Sequence, residues 1–379
     1  QGPIWTYLLA AALAVSNFQP LSGGVVAILF GLFSIFLIYL LGKTMFSERV
    51  GLLAALLYAT SPLVLIHARM PYHTAPIPFF TLLLIYSLYQ FLKGKASFFP
   101  LVIFSLVILY NLELATIIYV GLVFLILIFG WWKKKVYMQG LTQNRLLLLS
   151  LVGFLPMLPI LLYDVQNGFP QTLKFAAWTG YKMLTVFGYP ALHPEIASDS
   201  FGAVLLFFFQ HVQKLLFLPS FSMTLLLFFG SLFWVGKLLY AEQKTKHFTL
   251  PIVTLALFLL IGIGGFFISK TRSEAYLPML FPQLLLALSL LFAAGIERKH
   301  LRVFMFLILG LIVSGNISVL LHTNYLMGIP VGGYGVPFSR RLEVAEQIVK
   351  ESGKNEYTIE GIGKGSQFPS MTMSYEYLT

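Results

Sequence analysis

The chain has 379 residues, 58 % of them apolar and only 10 % charged, and its mean hydropathy is +0.84. Soluble domains carry about a quarter charged residues, so a soluble globular class is excluded, and the lack of ~10-residue alternating segments excludes an outer-membrane barrel. The net charge of +11 sits mostly in short inter-helix loops, which points to membrane topology and anionic headgroups rather than nucleic acid.

These features predict an all-α polytopic membrane protein with about ten transmembrane helices plus interfacial helices. No cysteine is present, so there is no disulfide and no thiolate metal site. The chain begins at Gln1, not Met, and ends abruptly at Tyr375-Glu376-Tyr377-Leu378-Thr379, so it reads as a piece of a longer protein. Residues 3–16 read as an interfacial helix started by Gly2-Pro3 and marked by Trp5 and Tyr7. Predicted spans follow at 24–41, 51–67, 75–92, 98–112, 115–132, 146–163, 223–240, 249–268, 277–296 and 303–321. Segment 201–217 is apolar enough to span but is interrupted by Gln210, His211, Gln213 and Lys214. Were it to span, six basic residues of loops 237–247 and 297–302 would change sides, so it is read as a helix in the outer interface.

Alternate loops differ in charge. One set holds fourteen Lys and Arg, among them Lys43, Arg49, Lys93, Lys133, Lys134, Lys135, Arg298 and Lys299. The other holds six, Arg69, Lys174, Lys182, Lys214, Lys270 and Arg272. The positive-inside rule makes the first set cytoplasmic and puts both termini outside. The expected domains are a membrane domain, residues 1–322, and the start of a small extracytoplasmic α/β domain, 323–379. In the latter, 339–350 is predicted as an amphipathic helix with Leu342, Ala345, Ile348 and Val349 on one face. Tyr357-Thr358-Ile359 is predicted as a short strand, and Gly361 to Gly365 as an ordinary turn without phosphate-loop spacing.

The outer loops hold the candidate chemistry, each with a plainer alternative. Lys270 and Arg272 could bind a phosphate, or snorkel to anchor a span, with Glu274 pairing to either. His67, Arg69 and His73 cluster in one loop. They could be metal ligands or cavity polar groups, but two His six residues apart is no recognisable metal spacing. Pro71, Pro76 and Pro78 imply an irregular entry into the next span. Glu113 tips a tight hairpin, where it would contact Arg69, line a cavity or sit solvated. Asp164 would line a cavity, hold Arg69 or cap a helix. Trp178, Tyr181 and Tyr189 would stack on a ligand ring or anchor at the interface, and His193, Glu195 and Asp199 read first as a solvated loop.

Several stretches carry a family resemblance. Gln1-Gly2-Pro3-Ile4-Trp5-Thr6-Tyr7-Leu8-Leu9 is similar to a His-x-Pro-Leu-x-x-Tyr-Leu-Leu segment, and Leu40 to Phe46 to a Leu-Gly-Arg-x-Leu-Phe-Gly turn. Leu53 to Pro62, His67-Ala68-Arg69, and Thr271 to Pro278 match in order and on the expected sides. Together they resemble the membrane-embedded C-type glycosyltransferases, in the branch of the protein O-mannosyltransferases and aminoarabinose transferases.

That resemblance implies transfer of a hexose or pentose from a polyprenyl-phosphate donor to a lipid, glycan or protein acceptor. The setting would be the outer face of the cytoplasmic (inner) membrane. It implies donor phosphate binding by Arg272, Lys270, Tyr276 and Arg69, with Asp164 and Glu113 as supporting acids and His67 and His73 as cavity polar groups. Its main catalytic Asp belongs to a loop upstream of Gln1, and the acid expected about five residues after Arg69 is absent from Met70-Pro71-Tyr72-His73-Thr74-Ala75. Some relatives need a divalent metal; this sequence shows no complete site. A transporter or lipid-sugar flippase would place charges at mid-span, whereas here they lie at span ends. A non-catalytic relative is the other alternative.

Overall fold

The computed structural model describes residues 2–139, 141, 144–186, 200–245, 249–322, 338–353, 355–362 and 372–379. The chain divides into two compact units, Gln1–Asn316 and Ile317–Thr379. Every regular element among the described residues is a helix.

The first unit opens with α1 (Ile4–Val15), α2 (Ser22–Met45) and α3 (Glu48–Ala59). Ser47 starts α3: its hydroxyl accepts from the Val50 amide at 3.3 Å, and Glu48 sits in the positive first turn. α2 and α3 pack glycine on glycine. A Cβ on Gly42 would come within 2.8 Å of the Gly51 Cα, and one on Gly51 within 2.5 Å of the Tyr39 carbonyl. Close backbone approach of this kind holds helices together where lipid supplies no hydrophobic drive. The predicted span 51–67 is broken at Thr60-Ser61, and Pro62 opens α4 (Pro62–His67) at the position where a missing amide costs nothing.

Next come α5 (Ile77–Leu92), α6 (Phe99–Leu112) and α7 (Ile117–Trp132). Lys134, at φ 47°, turns the chain into α8 (Val136–Gln139). α9 (Asn144–Gly153) and α10 (Leu158–Asn167) form one span interrupted around Pro156, and α11 (Pro170–Val186) follows. The unit is completed by α12 (Phe201–Leu216), α13 (Phe221–Thr245), α14 (Leu250–Ser269) and α15 (Phe281–Glu297). α16 (Arg302–His322) runs across the division between the units.

Seven stretches among the described residues are long and apolar enough to cross a membrane: 22–45, 114–132, 147–167, 221–244, 250–269, 274–297 and 302–322. The other three predicted spans fall on the broken α3–α4 pair, on α5 with 16 residues and on α6 with 14. At 1.5 Å per residue such helices reach about 21–24 Å, short of a ~30 Å hydrocarbon core.

One helix forms the centre. The stretch Glu274–Glu297 is 89 % buried, whereas the other six candidate spans are 17–39 % buried and turn apolar faces outward. Inside it, Gln283 donates to the Tyr119 hydroxyl at 2.7 Å, and Tyr119 donates to the Met279 carbonyl at 3.1 Å, so α15 is tied to α7.

In the second unit, α17 (Phe338–Ser352) forms where the amphipathic pattern predicts it, with Ala345 buried, and α18 (Met373–Leu378) packs on it. The predicted strand at 357–359 is not formed: 356–362 are irregular, and Ile362 is 98 % exposed. An extended segment needs a neighbouring strand to form a ladder, and none stands among the described residues of this tail, whose regular elements are helices.

Candidate functional site

Five segments bring ionisable side chains to one end of the first unit. His67 ends α4; Arg69 to Pro76 form the loop into α5; Glu113 follows α6; His211 lies on α12; and 270–276 connect α14 to α15. Glu113 sits in extended backbone (φ −149°, ψ 126°), which ends α6 and points the chain into a single turn before α7. Lys270 ends α14 in the left-handed region, at φ 48°.

Glu274 is gripped from two sides. Its Oε1 lies 3.1 Å from His67 Nε2 and its Oε2 lies 3.5 Å from His211 Nε2. His211 Nδ1–H donates to the Phe207 carbonyl at 2.8 Å, which orients its ring toward Glu274. His67 Nδ1 lies 3.3 Å from the Thr74 hydroxyl, which orients the second ring. Phe281 stands edge-on to the His67 ring at 5.4 Å. A second pair lies beside this triad: His73 Nε2 and Glu113 Oε2 are 3.3 Å apart, both residues buried, with the Tyr72 ring 4.1 Å from His73.

Three cations stand at this end: Arg69, Lys270 and Arg272 are exposed, Arg272 two residues from the anchored Glu274 and Arg69 two from His67. Tyr276 is half-buried, and Lys214 lies half-buried on α12, one turn from His211. Burial pushes the Lys214 ammonium below its usual range, an effect the Glu274 charge partly offsets.

Asp164 is 2 % exposed and accepts from the Gln171 amide (2.7 Å), the Thr172 amide (2.9 Å) and the Thr172 hydroxyl (2.6 Å). It caps α11 from the preceding helix, so these donors, and not Arg69, are its partners. Glu113 likewise meets His73, and is neither solvated nor joined to Arg69. Between α1, α10 and α11 and the end of α6 opens a cavity of about 760 Å³, walled by Tyr7, Tyr110, Tyr163, Phe175, Trp178 and Lys174. Leu114 also lines it, next to Glu113. The chain enters at this edge, where the Gly2 amide donates to the Asn111 carbonyl at 2.7 Å, and Trp5 donates to the Pro71 carbonyl at 3.3 Å.

The sequence puts His67 and His73 in one loop but does not show that His67 meets Glu274 and His73 meets Glu113. Nor does it single out His211, whose one signal is a polar break in an otherwise apolar helix. Tyr189, His193, Glu195 and Asp199 lie outside the described residues. Among the described residues no three His, Asp or Glu side chains stand in metal-ligating geometry, so no metal is assigned to the site.

Residues 1–161 match the family model of the dolichyl-phosphate-mannose-protein mannosyltransferases. No curated protein matches the chain. Among solved structures, the oligosaccharyltransferase AglB of the archaeon Archaeoglobus fulgidus, in complex with an inhibitory peptide and a dolichol-phosphate, has a similar fold. The TM-score is 0.54 at 13 % identity, over 100 % of this chain and 51 % of that one. The chain thus spans about half the length of AglB. The first 161 residues are thus similar to that mannosyltransferase family, and the fold as a whole is similar to that of AglB.

Proposed function

We propose that the chain moves a sugar from a polyprenyl-phosphate donor to a lipid, glycan or protein acceptor at the outer face of the cytoplasmic membrane. The observation that carries this is the convergence of the two acid–histidine groups, with exposed Arg69, Lys270 and Arg272 around them, at one end of the bundle. The departing lipid phosphate needs cations at its developing charge. An arginine fork matches phosphate oxygens in pairs, and Lys270 adds a point charge. Glu274 holds the loop that carries Arg272 by its two histidine contacts. The aromatic cavity with Lys174 offers rings for a sugar to stack on.

The test is donor binding by the full-length protein. Arg272→Ala should weaken binding of a polyprenyl-phosphate sugar roughly tenfold or more, as loss of a charge-assisted hydrogen bond does, with the fold retained. Unchanged donor affinity would return Arg272 to an anchoring role.

A further inference from the structure

At the opposite end of the first unit, a second cleft opens between α5, α7 and α14. Its volume is about 670 Å³, and its walls are apolar except at the mouth, where Lys93 and Lys135 stand. We propose that it is a binding site for an anionic phospholipid of the leaflet on the Lys93 side. One acyl chain would lie between α7 and α14, with the phosphate between the two lysines.

Three observations support this occupant. First, the wall asks for hydrocarbon. Its polar side chains are already satisfied: Thr254 donates to the Leu250 carbonyl at 2.8 Å, and Tyr137 donates to the Ile126 carbonyl at 3.2 Å. Second, the depth fits a single leaflet. The α14 wall runs from Leu250 to Ile261, about 16 Å at 1.5 Å per residue, close to half of a ~30 Å core. Beyond that level α7 and α14 pack closely, with Ile118 set so that a Cβ on Gly265 would lie 2.9 Å from its side chain. A long polyprenyl chain entering from the Arg272 end would meet that packing. Third, the mouth is positive and uncompensated. Lys93 and Lys135 are exposed and rest over the Tyr89 and Phe129 rings at 5.5 and 5.9 Å. Neither makes an ion pair among the described residues, and no acid lines the cleft. Glu242, at the end of α13, is engaged by the Thr249 amide and hydroxyl. Two lysines at a membrane surface favour an anionic headgroup over a zwitterionic one. The site does not depend on the glycosyltransferase reading.

Native mass spectrometry of the full-length protein, released from vesicles of phosphatidylcholine and phosphatidylglycerol, tests the proposal. The protein should retain phosphatidylglycerol in preference to phosphatidylcholine, an arm that needs no variant. The double variant K93Q/K135Q should lose that preference roughly thirtyfold, as about 1 kcal/mol of headgroup attraction per lysine implies. Leu257→Trp, which fills the cleft and leaves both lysines, should also lower retention. Equal retention of the two lipids overturns the proposal. So does phosphatidylglycerol binding that both variants leave unchanged, or its displacement by added polyprenyl phosphate, which would make the cleft a donor groove.

Discussion

His67, His211 and Glu274 come from three segments more than fifty residues apart in the chain, yet meet within hydrogen-bond range. Nothing local in the sequence announces this. A histidine at the end of an apolar run, another inside an apolar helix and a glutamate in a basic loop each have an ordinary explanation alone. The same holds for Asp164: its residue type suited a cavity acid and a helix cap equally, and only the positions of Gln171 and Thr172 show the capping contacts. Removing a carboxylate that two buried histidines engage forfeits charge-assisted hydrogen bonds, about 2 kcal/mol. Glu274→Ala should therefore lower the thermal midpoint of the purified full-length protein. Glu274→Gln should recover part of the loss, since an amide oxygen still accepts from His67. An unchanged midpoint in Glu274→Ala would mean that the triad does not hold the 270–276 loop.

At the scale of helices, apolar run length was the legible signal. The long runs became helices within a few residues of their expected bounds, because a stretch of Leu, Ile and Phe without water has no other way to satisfy its backbone. Two features were not legible. The break at Thr60–Pro62 is marked by two hydroxyl residues and a proline, but apolar runs on both sides together reach span length and mask it. The central place of α15 hides because its composition resembles that of lipid-facing neighbours; only Gln283 and Ser289, both fully buried, mark it as interior. The strand expected at 357–359 is not formed for the opposite reason: β-propensity is present, and no partner strand stands among the described residues. The α2–α3 contact gives a test at this scale. Gly51→Val would push methyl groups against the Tyr39 carbonyl and separate the two helices. A loss of about 1–3 kcal/mol is expected, typical of overpacking, and would be read as a lower midpoint in detergent. Gly121, with open space around its Cβ position, should tolerate the same change.

Over the whole first unit, charge is sorted by end. Lys43 pairs with Glu48 and Arg49 with Glu297 at one end, where Lys93 and Lys135 also stand. The acid–histidine groups, with Arg69 and Arg272, occupy the other. The alternation of basic loops carried this sorting in the sequence, since each span reverses direction. The account requires the histidine-rich end to face away from the cytoplasm, where lipid-linked sugars would be used. Because the chain has no cysteine, single substitutions report this directly with a membrane-impermeant maleimide on intact cells. Arg69→Cys, Gln166→Cys and Arg272→Cys should label before permeabilisation, and Lys95→Cys and Lys299→Cys only afterwards. Labelling of Arg69→Cys or Arg272→Cys only after permeabilisation would contradict the account.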